Sequence, residues 1–336
     1  MKKSLITQTV TDYRIEENQL KEYIPLSGDV ALFEILEIGK HRTMQSDSKR
    51  NVALFPGDTI LAAFGDRYAT EQFEGYVPKS VMSEYHILGA GGVIGIVQSK
   101  NAAFKDIEPT KVRLIGFAVD GQGRVINTKF HGLDKPAFKP GTPMPKVILS
   151  LGATMDSGKT TTAAFVSRGL FLAGEKVGFI KLTGTAYTKD KDYVFDAGAK
   201  RTLDFSDAGY PSTFTIPTEE ILSIYEYLRN RIMEDGNLDY LVIEIADGIL
   251  QQETLSLIGN SEFMSTISSV VFSCGDSLSA LHGMQVLAGL GIHPRFLCGK
   301  FTMSELLIKE VKQYINIPIF TLEDLENKCA NTLLNN

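Results

Sequence analysis

The stretch from Lys146 to Ala173, KVILSLGATMDSGKTTTAAFVSRGLFLA, constrains the fold more than any other part of this 336-residue chain. It opens with an apolar run of β-formers, Val147 to Leu151, and turns sharply through Gly152-Ala-Thr-Met-Asp-Ser-Gly158. From Lys159 onward, apolar residues recur at Ala163, Phe165, Val166, Leu170 and Phe171, which is helical spacing. Strand, glycine-bearing turn and helix in that order make a phosphate loop. The first N–H groups of a helix have no partner within it and carry partial positive charge, so they hold phosphate oxygens. The nucleotide-binding residues expected on this ground are Gly152, Thr154, Asp156, Ser157, Gly158, Lys159, Thr160 and Thr161. Lys159 supplies a point charge between the outer phosphates, and Thr160 offers its hydroxyl to Mg²⁺. The usual pattern has Gly six residues before the Lys. Here Ala153 stands there and Gly152 comes one residue earlier, while Gly158-Lys159-Thr160 is intact.

The length suggests two domains. A hydrophobic content of 43% and a charged content of 22% are those of a soluble globular protein. No apolar run approaches the roughly 20 residues that cross a bilayer. The N-terminal MKKSLITQTVTDYRIEENQL has no apolar core of a signal peptide. Cys274, Cys298 and Cys329 lie far apart, as reduced thiols of a cytoplasmic protein do. Residues 1–140 carry 18 Lys and Arg against 17 Asp and Glu, whereas residues 141–336 carry 16 against 23. An acidic nucleotide domain offers no footprint for tight duplex binding, although a small basic patch is compatible with it.

The expected architecture is α/β: a P-loop NTPase domain with a mostly parallel sheet at 146–336, preceded by a small mostly-β domain at 1–130. Strand-like runs at Val30–Ile38, Thr59–Ala63, Gly92–Val97, Val112–Val119 and Gly123–Asn127 alternate with glycine-rich turns, which suits a small barrel or sandwich. Within it, Phe64-Gly-Asp-Arg-Tyr-Ala69, with Glu71, Phe73 and Tyr76 close behind, has two readings. Arg beside aromatics can stack on a base or clamp an anion; the plainer reading is a polar loop that packs its aromatics on the barrel. Gly89-Ala-Gly-Gly-Val-Ile-Gly95 has no βαβ unit around it and reads as a turn leading into a closely packed strand. Four prolines between 136 and 145 make residues 131–145 a semi-rigid linker.

Beyond the phosphate loop, strand patterns at Lys176–Lys181, Tyr240–Ile245, Ser269–Ser273, Arg295–Cys298 and Ile317–Phe320 alternate with helix patterns. Helix starts are expected at Thr218, at the capping box Thr302-Met-Ser-Glu305 and at Thr321-Leu-Glu-Asp324. Such alternation means a parallel sheet covered on both faces. Ligands of such sheets lie beyond the C-terminal strand ends. There Lys181 can reach a phosphate or a carboxylate, and Glu244 and Asp247 compete to order Mg²⁺. Glu244 is favoured, because burial without a partner would be costly. The polar stretch from Thr185 to Phe214 reads as a mobile switch or substrate loop. Ser273-Cys-Gly-Asp276 and Cys298-Gly-Lys300 end two further strands, where a base can rest, and the lack of Asn-Lys-x-Asp tilts the nucleotide towards ATP.

Gly152-Ala-Thr-Met-Asp-Ser-Gly-Lys-Thr160 resembles the P-loop of dethiobiotin synthetase, in which Gly also stands seven residues before Lys. Lys181 with its following Thr-Gly, Asp196-Ala197 and Glu244-Ile-Ala-Asp-Gly248 resemble further segments of that family, and uncharacterised P-loop proteins with an extra N-terminal domain share the layout. The resemblance covers about 190 residues and implies the nucleotide site, with Thr160, Asp196 and Glu244 at the metal. It does not carry over the biotin-precursor substrate, since Ile245 stands where that family has Gly. The expectation is an ATP- and Mg²⁺-dependent phosphoryl-transfer enzyme. Lys159, Lys181 and Glu244 are its catalytic residues, a small molecule or water is the acceptor, and the β domain selects the substrate or partner. A homodimer is expected. The alternative is a regulatory nucleotide switch whose β domain binds a protein or nucleic acid.

Overall fold

The computed structural model describes residues 1–17, 22–142, 145–234 and 236–334. Two compact units emerge: the first holds Met1–Lys135, Gly184–Thr188 and Phe205–Thr215, and the second holds Pro136–Thr183, Lys189–Asp204 and Ile216–Asn336. The expected division was contiguous, at 130 and 146. The observed units interleave along the sequence, because two later segments are hydrogen-bonded into the first unit.

The first unit contains the strands β1 (Lys2–Lys3), β2 (Arg14–Glu16), β3 (Val30–Glu37), β4 (Thr43–Gln45), β5 (Asn51–Ala53), β6 (Thr59–Phe64), β7 (Phe73–Tyr76), β8 (Tyr85–Gly89), β9 (Val93–Lys100) and β10 (Lys111–Val119). Strands β6, β3, β10, β8 and β9 pair antiparallel in that order, and β9 pairs back on β6 in parallel, closing a ring. Closure leaves the ring without a free edge. Alternate residues point inward, as the two-residue period of a strand requires: Ala31, Phe33 and Ile35 from β3, Ile60, Ala62 and Phe64 from β6, and Tyr85 and Ile87 from β8. The expected strand at Gly123–Asn127 is reduced to single bridges, Val119 with Val125 and Asp29 with Asn127. The two later segments are stitched into this unit. Gln45 exchanges two hydrogen bonds with Thr188, Thr128 Oγ1 donates to the Gly209 carbonyl at 2.6 Å, and Thr215 Oγ1 donates to Asp66 at 2.6 Å. Gly91 is needed there, since a Cβ on it would stand 2.1 Å from the Ala186 carbonyl oxygen.

The second unit contains β11 (Lys146–Gly152), α1 (Lys159–Leu172), β12 (Val177–Lys181), α2 (Lys189–Asp196), β13 (Arg201–Asp204), α3 (Thr218–Ile232), β14 (Tyr240–Glu244), α4 (Gln252–Ile258), α5 (Ser261–Ser265), β15 (Ser269–Ser273), α6 (Ser277–Gly289), β16 (Leu297–Cys298), α7 (Glu305–Lys312), α8 (Leu322–Asn327) and α9 (Cys329–Leu334). Its sheet runs β13-β12-β14-β11-β15-β16 with every pairing parallel. Strand β11 is therefore central, and its neighbours β14 and β15 bring their C-terminal ends beside the phosphate loop.

Several local expectations are corrected. Residues 185–214 are not one loop: α2 and β13 form within them, fixed by a buried ion pair, Lys191 to Asp204 at 3.0 Å. Residues 136–142 are no free linker. Pro136 accepts from Ser223 Oγ at 3.0 Å, Lys139 N–H donates to Glu226 at 3.1 Å, and Phe138 packs on Tyr225, all on α3. Linker residues 143 and 144 lie outside the described residues. Thr218 does not cap α3; Pro217 holds the cap position and Thr218 is the first helical residue. The expected box at Thr302–Glu305 gives way to a 3₁₀ turn over Lys300–Met303, with Ser304 before α7. Ile317–Phe320 makes one bridge, Ile319 with Leu297. The box at Thr321 and Asp324 forms in both directions. Among the described residues no helix is long and apolar enough to cross a membrane.

Candidate nucleotide site

The site is built by the ends of β11, β12 and β14. Gly158 precedes α1 at φ +100°, a backbone that favours glycine, and from it the helix starts at Lys159. Gly152 lets Ser157 and Lys159 close over it: a Cβ there would lie 2.2 Å from Ser157 Oγ and 2.5 Å from Lys159 Cγ. Gly248, after β14, would meet the Ala153 carbonyl oxygen at 2.5 Å. The departure from the usual spacing is thus absorbed by a loop that folds tightly over Gly152.

Within the loop, Lys159 is buried and its ammonium donates to the Thr154 and Met155 carbonyls at 2.8 and 3.0 Å. Burial pulls its pKa down to about 8, and Glu244 and Asp247 pull it back up. Ser157 Oγ is buried with no hydrogen-bond partner. Thr154 and Asp156 are exposed, and Thr160 and Thr161 are half-buried in the first turn of α1.

Strand register sets Ser150, Lys181 and Glu244 side by side, since Glu244 pairs with Ser150 on β11 and with Lys181 on β12. Thr160 Oγ1 donates to Glu244 Oε1 at 3.1 Å, and Lys181 Nζ lies 3.6 Å from the same oxygen. Burial opposes the Lys181 charge, but Glu244 and Asp190 outweigh it and hold the ammonium above its usual range. Burial raises the Glu244 pKa, against the pull of Lys181. The other Glu244 oxygen, Oε2, is buried with no partner. An orphaned carboxylate oxygen beside a threonine hydroxyl suits a hard cation that takes oxygen ligands, so Thr160 and Glu244 fit Mg²⁺. Asp247 is half-exposed on the following loop, and its N–H donates to Gln251 at 3.1 Å.

Asp196 is not brought to this group. It is exposed at the end of α2. The acid of α2 that contacts Lys181 is Asp190, in the helix's first turn. Six residues of helix, about 9 Å, separate the two. In a stretch where Lys189, Asp190, Lys191 and Asp192 alternate, nothing in the sequence singles out Asp190. Lys300 is a second addition. It pairs with Asp156 at 2.9 Å, and its N–H donates to the Ser157 carbonyl at 3.1 Å. Gly299 allows that approach, at φ +104°, where a Cβ would meet Ser157 O at 2.5 Å and Cys274 N at 2.6 Å. The only foretaste of this in the sequence is the position of Cys298-Gly-Lys300 at a strand end. A groove of about 630 Å³ lined by Met264, Val270, Leu290 and Arg295 lies at the start of β15, at the opposite end of the strands from this chemistry.

A parallel sheet with a glycine-bounded loop between its central strand and first helix defines the class: a P-loop nucleotide-binding domain. No protein-family model and no curated protein matches the sequence. Solved structures match only distantly. The signal recognition particle receptor FtsY from Elizabethkingia anophelis in complex with GDP is 14% identical, over 58% of this chain and 61% of that one, with a TM-score of 0.37. Chloroplast FtsY from Physcomitrella patens is 13% identical over 62% and 70%, at 0.40. The signal recognition particle 54 kDa protein from Aeropyrum pernix K1 in complex with GDP is 18% identical over 58% and 48%, at 0.36. This chain therefore spans under two thirds of the length of the first and third. The class rests on the geometry of the loop and sheet.

Proposed function

We propose that the chain binds a Mg²⁺–nucleoside triphosphate, ATP in the finer reading, at Gly152–Thr161, and transfers its terminal phosphoryl group to water or a small acceptor. The observation that carries this reading is the convergence of Thr160, Glu244 and Lys181 beside the buried Lys159. Mg²⁺, when bound, would neutralise charge on the phosphates. The chain's own part is positioning and charge. The N–H groups of the loop and of the start of α1 take phosphate oxygens. Lys159 exchanges the Thr154 and Met155 carbonyls for phosphate oxygen. Glu244 takes its orphaned oxygen to the cation side, with Thr160 beside it. Lys181 stays charged and stabilises charge that grows in the transition state. The resemblance to dethiobiotin synthetase belongs to this reading, as do a homodimer and selection of the acceptor or partner by the β unit.

A regulatory switch is favoured by one specific observation. Both lysines are already engaged, Lys159 by its own loop and Lys181 by Asp190, so nucleotide binding must exchange those bonds. Because α2 carries Asp190, that exchange would reach α2.

The test is titration of ATP and GTP with Mg²⁺ into wild type, Lys159→Ala and Glu244→Gln, with product release measured alongside. Lys159→Ala is expected to weaken triphosphate binding by about 100-fold, the loss of charge-assisted bonds. Glu244→Gln is expected to spare binding and lower turnover by 100-fold or more. Binding unchanged in Lys159→Ala would overturn the assignment. Unchanged turnover in Glu244→Gln, with loss in Asp247→Asn, would move the role to Asp247. Turnover stimulated by a small acceptor supports the enzyme; turnover altered only by a macromolecule supports the switch.

A further inference from the structure

A second charged cluster lies in the β unit, around the loop in which Arg67 stands among aromatics. Arg67 is 9% exposed, and its guanidinium donates to the Leu88 carbonyl and, at 2.6 Å, to Gln72 Oε1. Lys40 Nζ donates to that same Gln72 oxygen. Two cationic donors thus converge on one neutral oxygen. Lys40 also lies 4.6 Å from the Phe73 ring centre and 4.5 Å from that of Phe104. His41 Nε2 is 3.5 Å from Arg67 Nη1, and His41 Nδ1 is buried with no partner.

The Lys40 charge has only an amide oxygen and two aromatic rings to meet it. Among the described residues, neither Lys40 nor His41 has a carboxylate partner. Burial, and then Arg67, pull the Lys40 pKa down to about 8; burial, Arg67 and Lys40 drive that of His41 to about 3. Cations held in low-dielectric surroundings attract anions strongly and are costly without them. An amide oxygen is a weak acceptor for two such donors, whereas a charged oxygen makes shorter and stronger bonds. Lys40 and Gln72 are only half-buried, so this side of the cluster is open to a ligand. Phe73 and Phe104 wall the place beside them.

We propose that Lys40 and Arg67 form a binding site for a small oxyanion, a carboxylate or phosphate group of a ligand, with Gln72 Oε1 holding the place of the anionic oxygen until the ligand displaces it. His41, neutral, offers one further ring nitrogen. The site lies wholly within the first unit.

The experiment uses the full chain carrying Lys159→Ala, so that the nucleotide loop contributes little. Inorganic phosphate and, separately, citrate are titrated at ionic strength held constant with KCl, by calorimetry and by thermal melting. At least one of the two is expected to bind and to raise Tm. Adding Lys40→Gln should weaken that binding about tenfold or more, the loss of one charged hydrogen bond. Adding Gln72→Glu supplies the carboxylate from within. It should raise Tm without added anion and abolish the response to phosphate and citrate. Phosphate binding alone identifies a phosphate ester as the ligand class, and citrate alone a carboxylate. Three results overturn the site: neither anion binds at millimolar concentration, binding survives Lys40→Gln undiminished, or Gln72→Glu lowers Tm.

Discussion

Two glycines beside the phosphate loop look alike in the sequence and should behave differently. At Gly152 the atoms that a Cβ would meet belong to the flexible side chains of Ser157 and Lys159. Gly152→Ala should cost little stability, under about 1 kcal/mol, but displace Lys159 and weaken nucleotide binding tenfold or more. At Gly299 the obstacles are backbone atoms and φ is +104°. Gly299→Ala should cost about 1–3 kcal/mol of unfolding free energy. Denaturant unfolding and nucleotide titration on both variants separate the two; equal effects would contradict the packing. The thiols give a prediction with a sign. Burial raises the Cys298 pKa from 9.0 to about 11, against hydrogen bonds from Thr162 and Ser273. The neutral thiol is favoured in the fold, so its contribution is full below pH 9 and is lost as pH rises from 9 to 11. Iodoacetamide should label Cys298 at pH 8.5 only after unfolding, and prompt labelling of the native chain would refute its burial. At this scale the sequence was readable where a residue type has one use. Gly158-Lys159-Thr160 at a strand–helix junction admits few readings. Asp190 was not readable, because its role depends on where α2 starts, and charges alternate along that stretch.

Among the elements, legibility followed burial. Strands β11, β12, β14 and β15 are nearly all apolar and buried, so their positions follow from composition alone. Helix α2 was missed because it is short and polar, with five charged residues in eight. What it buries includes Lys191, a residue that normally marks a surface. That burial makes the helix sensitive. Lys191→Met leaves Asp204 charged and buried and should cost about 3–5 kcal/mol. Replacing both, as Lys191→Met with Asp204→Leu, should restore most of that loss, since well-packed apolar residues often equal a buried pair. Urea unfolding of the three proteins is the measurement, and additive losses in the double variant would show that the pair is not what fixes α2. The two expected capping boxes differ for a local reason. Asp324 keeps one carboxylate oxygen for Thr321 while the other takes Lys328, whereas the 3₁₀ turn that takes up Thr302 is anchored by N–H donation from Lys300 to Ser157 and from Phe301 to Cys274.

At the scale of the whole molecule, the interleaving of the two units was the feature least visible in the sequence. Segments 184–188 and 205–215 sit between elements of the nucleotide domain, and their apolar residues suit either unit. Hydrogen bonds between Thr188 and Gln45, from Thr128 to the Gly209 carbonyl and from Thr215 to Asp66 assign them. A fragment starting at Pro136 would therefore leave Ala186, Phe205, Ala208 and Tyr210, all buried in the intact chain, without the rest of their unit. It should melt several degrees lower than the full protein and bind a hydrophobic dye, and a fragment as stable as the intact chain would contradict the division. The same stitching imposes an order of events on synthesis. Although the β unit opens the chain, it is incomplete when Lys135 leaves the ribosome. Its last pieces emerge only with Thr215, after the phosphate loop, α1, β12, α2 and β13 have been made. The nascent chain must carry a closed but incomplete β unit through the synthesis of about a third of the other. The two units share one interval of folding in time.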